Sequence, residues 1–302
     1  MNATLSLLAR VARATVSIHS HIPSTHVSNA IGLGADRRGT GVLVSHDGLI
    51  LTVSYMLMGA QSVIVTLGSG VQLSARIVGQ DYGTGLGLLK IDGAGHQFLK
   101  VVSSMGVRLG DEAFIVSSAG AEQRCTDCGV ITYLGEFDAV WEFVLDRCVC
   151  MTASALNIGF NGGAICNSRG EVIAISYLNL TEIGRPVLGI PGECFLAARD
   201  ELVQHGRRVS GRPRLWLGLL SYTLQEHVII AGVMPGSPSE KAGLKQGDMV
   251  LTADGGDIRE RRALYAAINS HRAGECVNLK VLRNNQVQRF QIQAINVEDY
   301  LR

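Results

Sequence analysis

The stretch Gly39-Thr-Gly-Val-Leu-Val-Ser-His-Asp-Gly-Leu-Ile-Leu-Thr52 decides the fold of the N-terminal part of the chain. Apolar runs at residues 42–44 and 49–51 flank the sequence His46-Asp47-Gly48. An Asp-Gly pair between two apolar runs is a strong hairpin signal, because tight hairpin turns need positive φ values that Gly adopts readily. The stretch therefore predicts two antiparallel strands joined at residues 46–48.

More short strands are predicted on both sides of this hairpin. Apolar and polar residues alternate over residues 71–77, which is typical of a half-buried strand. Further strand patterns follow at residues 86–91, 112–117, 129–134, 143–151 and 172–177. Residues 1–18 are predicted to form a short amphipathic helix that runs into a strand, and residues 19–38 a long exposed loop. Short strands with regular turns favour a mostly β domain built as a barrel or a pair of barrels.

A linker is predicted at residues 205–214, where the sequence becomes basic, contains Gly and Pro, and loses its periodicity. The chain is thereby divided into a domain over residues 1–204 and a second domain over residues 215–302. Strand patterns in the second domain are followed by a helix at residues 261–271, with Leu264, Ala267 and Ile268 on one face.

Composition excludes several classes of protein. The 302 residues are 47% hydrophobic and 18% charged, which is ordinary for a globular chain and excludes a disordered or fibrous one. A net charge of +1 disfavours nucleic acid as the main partner. No apolar run reaches the about 18–20 residues that cross a bilayer. Arg10 and Arg13 interrupt the N-terminal apolar run, so no signal peptide is predicted; we expect a cytoplasmic protein as written, or a periplasmic or organellar one if a signal was removed.

Cysteines and histidines are the candidate metal ligands. An odd total of seven cysteines disfavours a disulfide framework, and most are predicted to be free and buried. Two alternatives stay open for Cys125, Cys128, Cys148 and Cys150, namely a zinc site and a disulfide. Close spacing of His19, His21 and His26 permits metal binding, although solvated loop histidines are more common. We predict no metal and no cofactor.

Several segments, taken in order, resemble a known family. These are residues 39–52, residues 77–91, residues 156–165 followed by 170–175, and the segments Leu217-Gly-Leu219, Pro235-Gly-Ser-Pro238, Ala242-Gly-Leu244 and Gly247-Asp248. Together they resemble the HtrA-type proteins, which are trypsin-like serine proteases with a C-terminal PDZ domain. The resemblance covers residues 8–295. It implies a trypsin-like double six-stranded β-barrel followed by a PDZ domain that is an α+β, partly open barrel.

The resemblance fails at the three positions of the catalytic triad. Tyr55 stands where the family has histidine, Gly85 where it has aspartate, and Asn161 where it has the nucleophilic serine. A phenol with a pKa near 10 is a poor base at neutral pH, glycine cannot orient an imidazole, and an amide nitrogen is not a nucleophile. These substitutions predict a pseudoprotease that is not an enzyme, whose turn at residues 159–163 still offers N–H groups to an oxygen anion.

Rebuilt catalysis is the alternative. Its candidate bases are His46 and His96, and its candidate nucleophiles are Ser54, Ser154 and Cys166. None of these serines occupies a strained glycine turn, so solvated or strand residues explain them equally.

A peptide groove is implied in the PDZ segment. Trp216, Leu217, Gly218 and Leu219 resemble the loop that binds a peptide carboxylate and the strand that pairs with the peptide, with Leu264 and Ile268 as pocket walls. The alternative is that these apolar residues form only the domain core.

The sequence therefore predicts a non-catalytic scaffold, adaptor or regulatory subunit that binds protein partners through its PDZ domain and its degenerate barrel. By resemblance, it forms a homo-trimer or a hetero-oligomer with an active relative. The alternatives are an active serine-type endopeptidase with an unorthodox site, and a metal-binding pseudoprotease.

Overall fold

The computed structural model describes residues 3–29, 32–118, 124–139, 143–152, 161–179, 186–210 and 214–301. Contacts between Cα atoms divide the chain into two compact units. The first comprises Met1–His26, Leu33–Glu136 and Leu145–Ser210, and the second comprises Val27–Gly32, Phe137–Val144 and Gly211–Arg302. None of the described helices is both long enough and apolar enough to span a membrane.

The first unit begins with helix α1 (Ala3–Ala14) and a seven-stranded antiparallel sheet. Its strands are β1 (Thr15–His21), β2 (Asp36–Leu43), β3 (Leu49–Val53), β4 (Ser62–Thr66), β5 (Gln72–Ser74), β6 (Arg76–Asp81) and β7 (Leu86–Lys90). Their spatial order is β5-β4-β1-β2-β3-β7-β6. The predicted hairpin is confirmed, because β2 and β3 pair and the Gly48 N–H closes their turn on the Ser45 carbonyl at 3.3 Å.

Two local predictions in this sheet are wrong. The loop predicted at residues 19–38 has the wrong bounds, because residues 19–21 belong to β1 and residues 36–38 to β2, where His19 pairs with Arg38. The single strand predicted at residues 71–77 splits at Ala75 into β5, which pairs with β4, and β6, which pairs with β7. Alternation of apolar residues shows that a strand is half-buried but not which neighbour it pairs with. The split brings the number of strands in this sheet to seven, with β5 and β6 at its two edges.

A closed six-stranded barrel completes the first unit. Its strands are β8 (Glu112–Ser118), β9 (Arg124–Ala139), β10 (Phe143–Thr152), β11 (Ala164–Asn167), β12 (Val172–Asn179) and β13 (Pro186–Pro191), closed in the order β10-β13-β12-β11-β8-β9. Small and branched apolar side chains form its core, among them Ile115, Val149, Ile165 and Ala174. Helix α2 (Gly192–His205) follows and ends at Gly206, which has a φ of 71° and whose carbonyl accepts the Gln80 N–H at 3.1 Å.

The second unit is a smaller α+β domain. Its elements are β14 (Leu215–Trp216), β15 (Leu219–Leu224), β16 (His227–Val233), α3 (Pro238–Ala242), β17 (Met249–Ala253), β18 (Gly256–Asp257), α4 (Arg261–Asn269), β19 (Cys276–Arg283), β20 (Gln286–Gln293), β21 (Ile295–Asn296) and α5 (Val297–Leu301). The main sheet has the order β15-β16-β17-β19-β20, with β18 on β17, and β14 pairs with β21. Ser237 caps α3 by accepting the Glu240 N–H, and Pro238 occupies the first helical position.

An ion pair joins β19 to the turn before β17. Arg283 donates Nε–H to Asp248 Oδ1 and Nη2–H to Asp248 Oδ2, both at 2.6 Å. The Asp248 side chain is 1% exposed, so this carboxylate depends on protein partners rather than on water. Its hydrogen bonds with Asp248 raise the pKa of Arg283.

Candidate functional site

Tyr55 and Gly85 lie side by side at one end of the paired strands β3 and β7. Tyr55 belongs to a 3₁₀ turn, Ser54–Met56, that directly follows β3, and Gly85 directly precedes β7. Val53 pairs with Leu86, and the Ser54 N–H donates to the Gly85 carbonyl at 2.7 Å. Two of the three positions that sequence analysis singled out are therefore adjacent.

The Asn161-Gly162 turn reaches the same place from the other side. The Asn161 carbonyl accepts the Thr40 N–H at 2.9 Å, and the Gly162 N–H donates to the Ser176 carbonyl at 2.7 Å. Gly39 separates Asn161 from the 3₁₀ turn, because a Cβ on Gly39 would lie 3.0 Å from both the Asn161 carbonyl oxygen and Met56 Cε. All three predicted positions thus meet around the end of β3.

Gly162 is the tightest point of this arrangement. It has a φ of 83°, and a Cβ placed on it would lie 2.0 Å from the Thr40 carbonyl oxygen and 2.3 Å from Thr52 Oγ1. Thr52 Oγ1 itself donates to the Thr40 carbonyl at 2.8 Å. Only a residue without a side chain fits between β2, β3 and the turn.

Tyr55 is held as a neutral phenol. Its hydroxyl donates to the Tyr177 carbonyl at 3.1 Å, and the two rings meet edge to face with centroids 5.4 Å apart. Burial raises the pKa of Tyr55 well above its ordinary value, so the phenol stays protonated at neutral pH. This tyrosine can donate a hydrogen bond there but cannot act as a base.

Arg37 fixes the backbone of the same segment, and sequence analysis did not identify it. Its side chain donates to the carbonyls of Tyr55 and Met58, the latter at 3.1 Å, and to the carbonyl of Gly34 at 3.0 Å. Burial lowers the pKa of Arg37 to about 10. The only sequence signal for Arg37 is its position, because it lies two and four residues before Gly39 and Gly41 and therefore shares their face of β2.

The rebuilt-catalysis candidates do not gather at this place. His46 precedes β3 and Tyr55 follows it, which separates them by roughly 17 Å at about 3.3 Å per strand residue. The His96 N–H donates to the His46 carbonyl at 3.0 Å, so His96 lies at the far end as well. Of the candidate nucleophiles, Ser54 is buried, and burial raises the pKa of Cys166 to about 12. Ser154 lies outside the described residues, and so do residues 159–160 of the predicted turn.

The seven cysteines are free thiols. Three are buried, namely Cys148, Cys150 and Cys166, so burial is less general than predicted. Cys148 and Cys150 share one face of β10 with their Sγ atoms 3.7 Å apart, and this hydrogen bond raises the pKa of Cys150. Over the described ranges, no three His, Cys, Asp or Glu side chains come close enough to bind a metal ion.

The loop between β14 and β15 carries the predicted carboxylate site. Ser239 N–H donates to the Leu217 carbonyl at 2.9 Å and Met234 N–H to the Gly218 carbonyl at 2.8 Å, so both carbonyls point into the domain. In a trans peptide the N–H points opposite to the carbonyl of the preceding residue. The N–H groups of Gly218 and Leu219 therefore point away from the domain, in the direction that a carboxylate would approach.

The predicted pocket residues form part of the domain core in this structure. Leu217, Leu219, Leu264 and Ile268 are all buried in one cluster. Trp216 is buried too, and its ring packs on Tyr300 with centroids 4.2 Å apart. Whether these residues also bind a peptide stays a prediction.

Comparison with known proteins finds two family matches in the order that the fold suggests. A trypsin-like peptidase domain matches residues 39–175, and a PDZ domain matches residues 208–294. Two solved structures, the serine endoprotease from Yersinia pestis and the HtrA-type protease AlgW with tripeptide, each superpose with a TM-score of 0.60. The first is 23% identical and covers 98% of this chain and 99% of its own, and the second is 24% identical and covers 97% of both. The chain has the HtrA-type fold.

Curated relatives agree with this HtrA-type assignment. A probable periplasmic serine endoprotease DegP-like of Chlamydia trachomatis is 30% identical over 82% of this chain and 52% of its own length. The serine endoprotease DegS of Haemophilus influenzae is 25% identical over 91% of this chain and 82% of its own. The chain thus spans about half the length of the DegP-like relatives that it matches. The predicted fold class, mostly β with a trypsin-like domain followed by a PDZ domain, is confirmed.

These comparisons contradict one prediction outright. We predicted from Tyr55, Gly85 and Asn161 that the chain is not an enzyme, whereas the HtrA-type relatives are named serine endoproteases and point to a protease. That prediction rested on the chemistry of those three side chains, with rebuilt catalysis at other residues as the alternative. The assignment of the three residues to triad positions stays a prediction.

Proposed function

We propose that this HtrA-type chain recognises protein partners by their C-termini, which add as an extra strand to the edge of β15. The observation that supports this most is the outward direction of the Gly218 and Leu219 N–H groups at the start of that edge strand. Backbone N–H groups and a nearby apolar core are what a terminal carboxylate and a last apolar side chain need. The relative AlgW has been solved with a tripeptide and with a decapeptide, which is consistent with peptide recognition.

The proposal extends to the barrel unit and to assembly. Tyr55, Gly85 and Asn161 are proposed to occupy the positions of a protease triad, with the Asn161-Gly162 turn retaining its place between β2 and β3. The proposed partners are protein partners bound through the PDZ groove, and the proposed assembly is a homo-trimer, a hetero-oligomer with an active relative, or a larger complex. In such an assembly the chain would act as a scaffold, an adaptor or a regulatory subunit.

Peptide titration of the full chain tests C-terminal recognition. We expect a hexapeptide that ends in an apolar residue to bind at least about tenfold more tightly with a free carboxylate than with a C-terminal amide, because charged hydrogen bonds are lost in the amide. Backbone amide shifts of Gly218, Leu219 and neighbouring β15 residues should move in NMR spectra. The opposite sheet edge, β20, provides the internal control, and equal shifts at both edges contradict the proposal.

A second candidate function, serine-type endopeptidase activity, is favoured by the names of the relatives. Such activity would have to use groups other than the side chains of Tyr55, Gly85 and Asn161. If the chain is a peptidase, a fluorophosphonate probe will form a covalent adduct that mass spectrometry places on a serine, with Ser154 the first residue to replace by alanine. Absence of both an adduct and casein cleavage argues against this candidate.

A further inference from the structure

A cavity of about 390 Å³ lies on the main sheet of the second unit. Its volume falls within the range of about 300–1,000 Å³ that is usual for small-molecule sites. The polar residues that line it belong to β17, β19 and β20, namely Thr252, Asn278, Lys280, Arg289 and Gln291. Because β20 and β15 are opposite edges of this sheet, the cavity is separate from the proposed peptide groove.

Strand pairing brings three of these residues into one row. Thr252 of β17 pairs with Lys280 of β19, and Lys280 pairs with Arg289 of β20. Directly paired residues project from the same face of a sheet, with Cβ atoms about 4.5–5.5 Å apart. Their chain neighbours Ala253 and Leu279 are buried in the domain core. The row therefore projects from the face of the sheet opposite the core.

Two positive charges, Lys280 and Arg289, lie directly opposite each other in this row. Among the described residues, no carboxylate forms an ion pair with either of them. Asp254 accepts the Asn278 N–H at 3.0 Å instead, and Asp257 lies on β18, one strand beyond β17. Like charges directly opposite each other destabilise a sheet. An anion bound in the cavity would relieve this repulsion.

The Thr252 hydroxyl is a third group that a ligand would satisfy. Its oxygen is buried and forms no hydrogen bond with the described residues. A buried hydroxyl without a partner is costly, and such groups are uncommon in folded proteins. Thr252 as a whole is half-buried and lines the cavity, so rotation about its Cα–Cβ bond would bring the hydroxyl to a ligand beside Lys280.

Phosphate chemistry matches these three groups best. A phosphate monoester carries a charge of about −1.5 to −2 at pH 7 and three strong acceptor oxygens. Two cations and one hydroxyl balance that charge and provide a donor for each oxygen, and a guanidinium binds phosphate through two parallel N–H bonds. A carboxylate has a single charge and only two oxygens, so it would leave part of the row unpaired.

We propose that the cavity over β17, β19 and β20 binds a phosphate monoester group through Lys280, Arg289 and Thr252. This site goes beyond the proposed C-terminal recognition and does not depend on it, because none of the three residues belongs to β14, to β15 or to the loop between them.

The test is an NMR titration of the full chain with glycerol 3-phosphate, glycerol and acetate at low ionic strength. We expect saturable shifts of the Thr252, Lys280 and Arg289 amides with glycerol 3-phosphate, none with glycerol, and at least about tenfold weaker binding of acetate, because charge-assisted hydrogen bonds are lost. Absence of saturable shifts with glycerol 3-phosphate, or equal binding of acetate, overturns the proposal.

A second arm distinguishes the two sources of such a group. Phosphatidic acid presents the same phosphate monoester on a lipid, so phosphatidylcholine vesicles with and without it are compared for binding of the full chain. Binding that requires phosphatidic acid supports the site with a lipid as its ligand, and binding of glycerol 3-phosphate alone supports it with a soluble molecule.

Variants separate the row from the overall charge. Lys280→Gln and Arg289→Gln should each weaken binding of glycerol 3-phosphate by at least about tenfold, as is usual for hydrogen bonds to a charged group. Lys241→Gln removes the same charge from an exposed residue of α3 and should change binding by about twofold or less. Equal weakening in Lys280→Gln and Lys241→Gln would mean that overall charge attracts the phosphate, and it overturns the assignment.

Thr252→Val tests the hydroxyl by itself. We expect about three- to tenfold weaker binding of glycerol 3-phosphate, the usual effect of one hydrogen bond, with no loss of thermal stability because the hydroxyl has no partner to lose. Unchanged binding removes Thr252 from the site. The peptide titration described above should give the same result for wild type and Lys280→Gln, so the proposed function and this inference can fail separately.

Discussion

Replacing Gly162 by alanine is expected to lower the free energy of unfolding of the first unit by about 2–5 kcal/mol. Left-handed backbone costs an L-residue about 1–2 kcal/mol, and overpacking a filled site costs about 1–3 kcal/mol. The new Cβ would have to occupy a point 2.0 Å from the Thr40 carbonyl oxygen, which lies on a paired strand and has little room to move. In scanning calorimetry, the transition of the first unit should fall by roughly 10 °C.

Gly70→Ala is the matched control for this prediction. Gly70 has a φ of 86°, nearly the same as that of Gly162, but a Cβ added to Gly70 would have no atom within 4 Å. The substitution should therefore cost only the backbone strain of about 1–2 kcal/mol. Equal losses in the two variants would show that Gly162 is not clamped between β2 and β3.

Arg283→Met is expected to destabilise the second unit by about 3–5 kcal/mol, because it leaves a buried carboxylate without its charged partner. Asp248 would keep the Lys245 N–H, at 2.9 Å, but would lose two bonds of 2.6 Å to Arg283. Urea unfolding followed by the fluorescence of Trp216, which packs on Tyr300 in this unit, measures the loss. A loss in Arg283→Met no larger than the contribution of an exposed ion pair, about 1 kcal/mol, would contradict this explanation.

Arg259→Met is the control for charge alone. Arg259 and Glu226 are both exposed and 3.9 Å apart, and exposed ion pairs contribute at most about 1 kcal/mol. The double variant Arg283→Met with Asp248→Leu should recover part of the loss, because an apolar pair replaces an isolated charge.

Local signals in the sequence predicted local structure well. The Asp47-Gly48 pair located the β2–β3 hairpin, and the spacing of Leu264 and Ile268 identified the buried face of α4. Both signals act over a few residues, where turn chemistry and helical periodicity dominate.

Long-range arrangement was much harder to predict. Nothing near Ala75 in the sequence indicates that the chain changes neighbour there, where β5 pairs with the preceding strand β4 and β6 pairs with the following strand β7. In the sheet, β1, β2 and β3 separate β4 from β7. Arg37 went unnoticed for a related reason, since its contacts with Tyr55 and Met58 join residues about twenty positions apart. A charged residue within a predicted loop is ordinary in a sequence, and the burial of Arg37 becomes evident only in three dimensions.

The break at Ala75 has a consequence for the borders of the seven-stranded sheet. β5 is the edge strand on one side of the sheet and β6 is the edge strand on the other side, so the segment of residues 72–81 forms both edges. Unpaired backbone groups at a sheet edge can pair with a strand of another chain. At one edge of this sheet only the three residues of β5 are available, and at the other edge the C-terminal end of α2 lies against β6. The segment that contains β5 and β6 thus limits edge-to-edge aggregation of this sheet with other protein molecules.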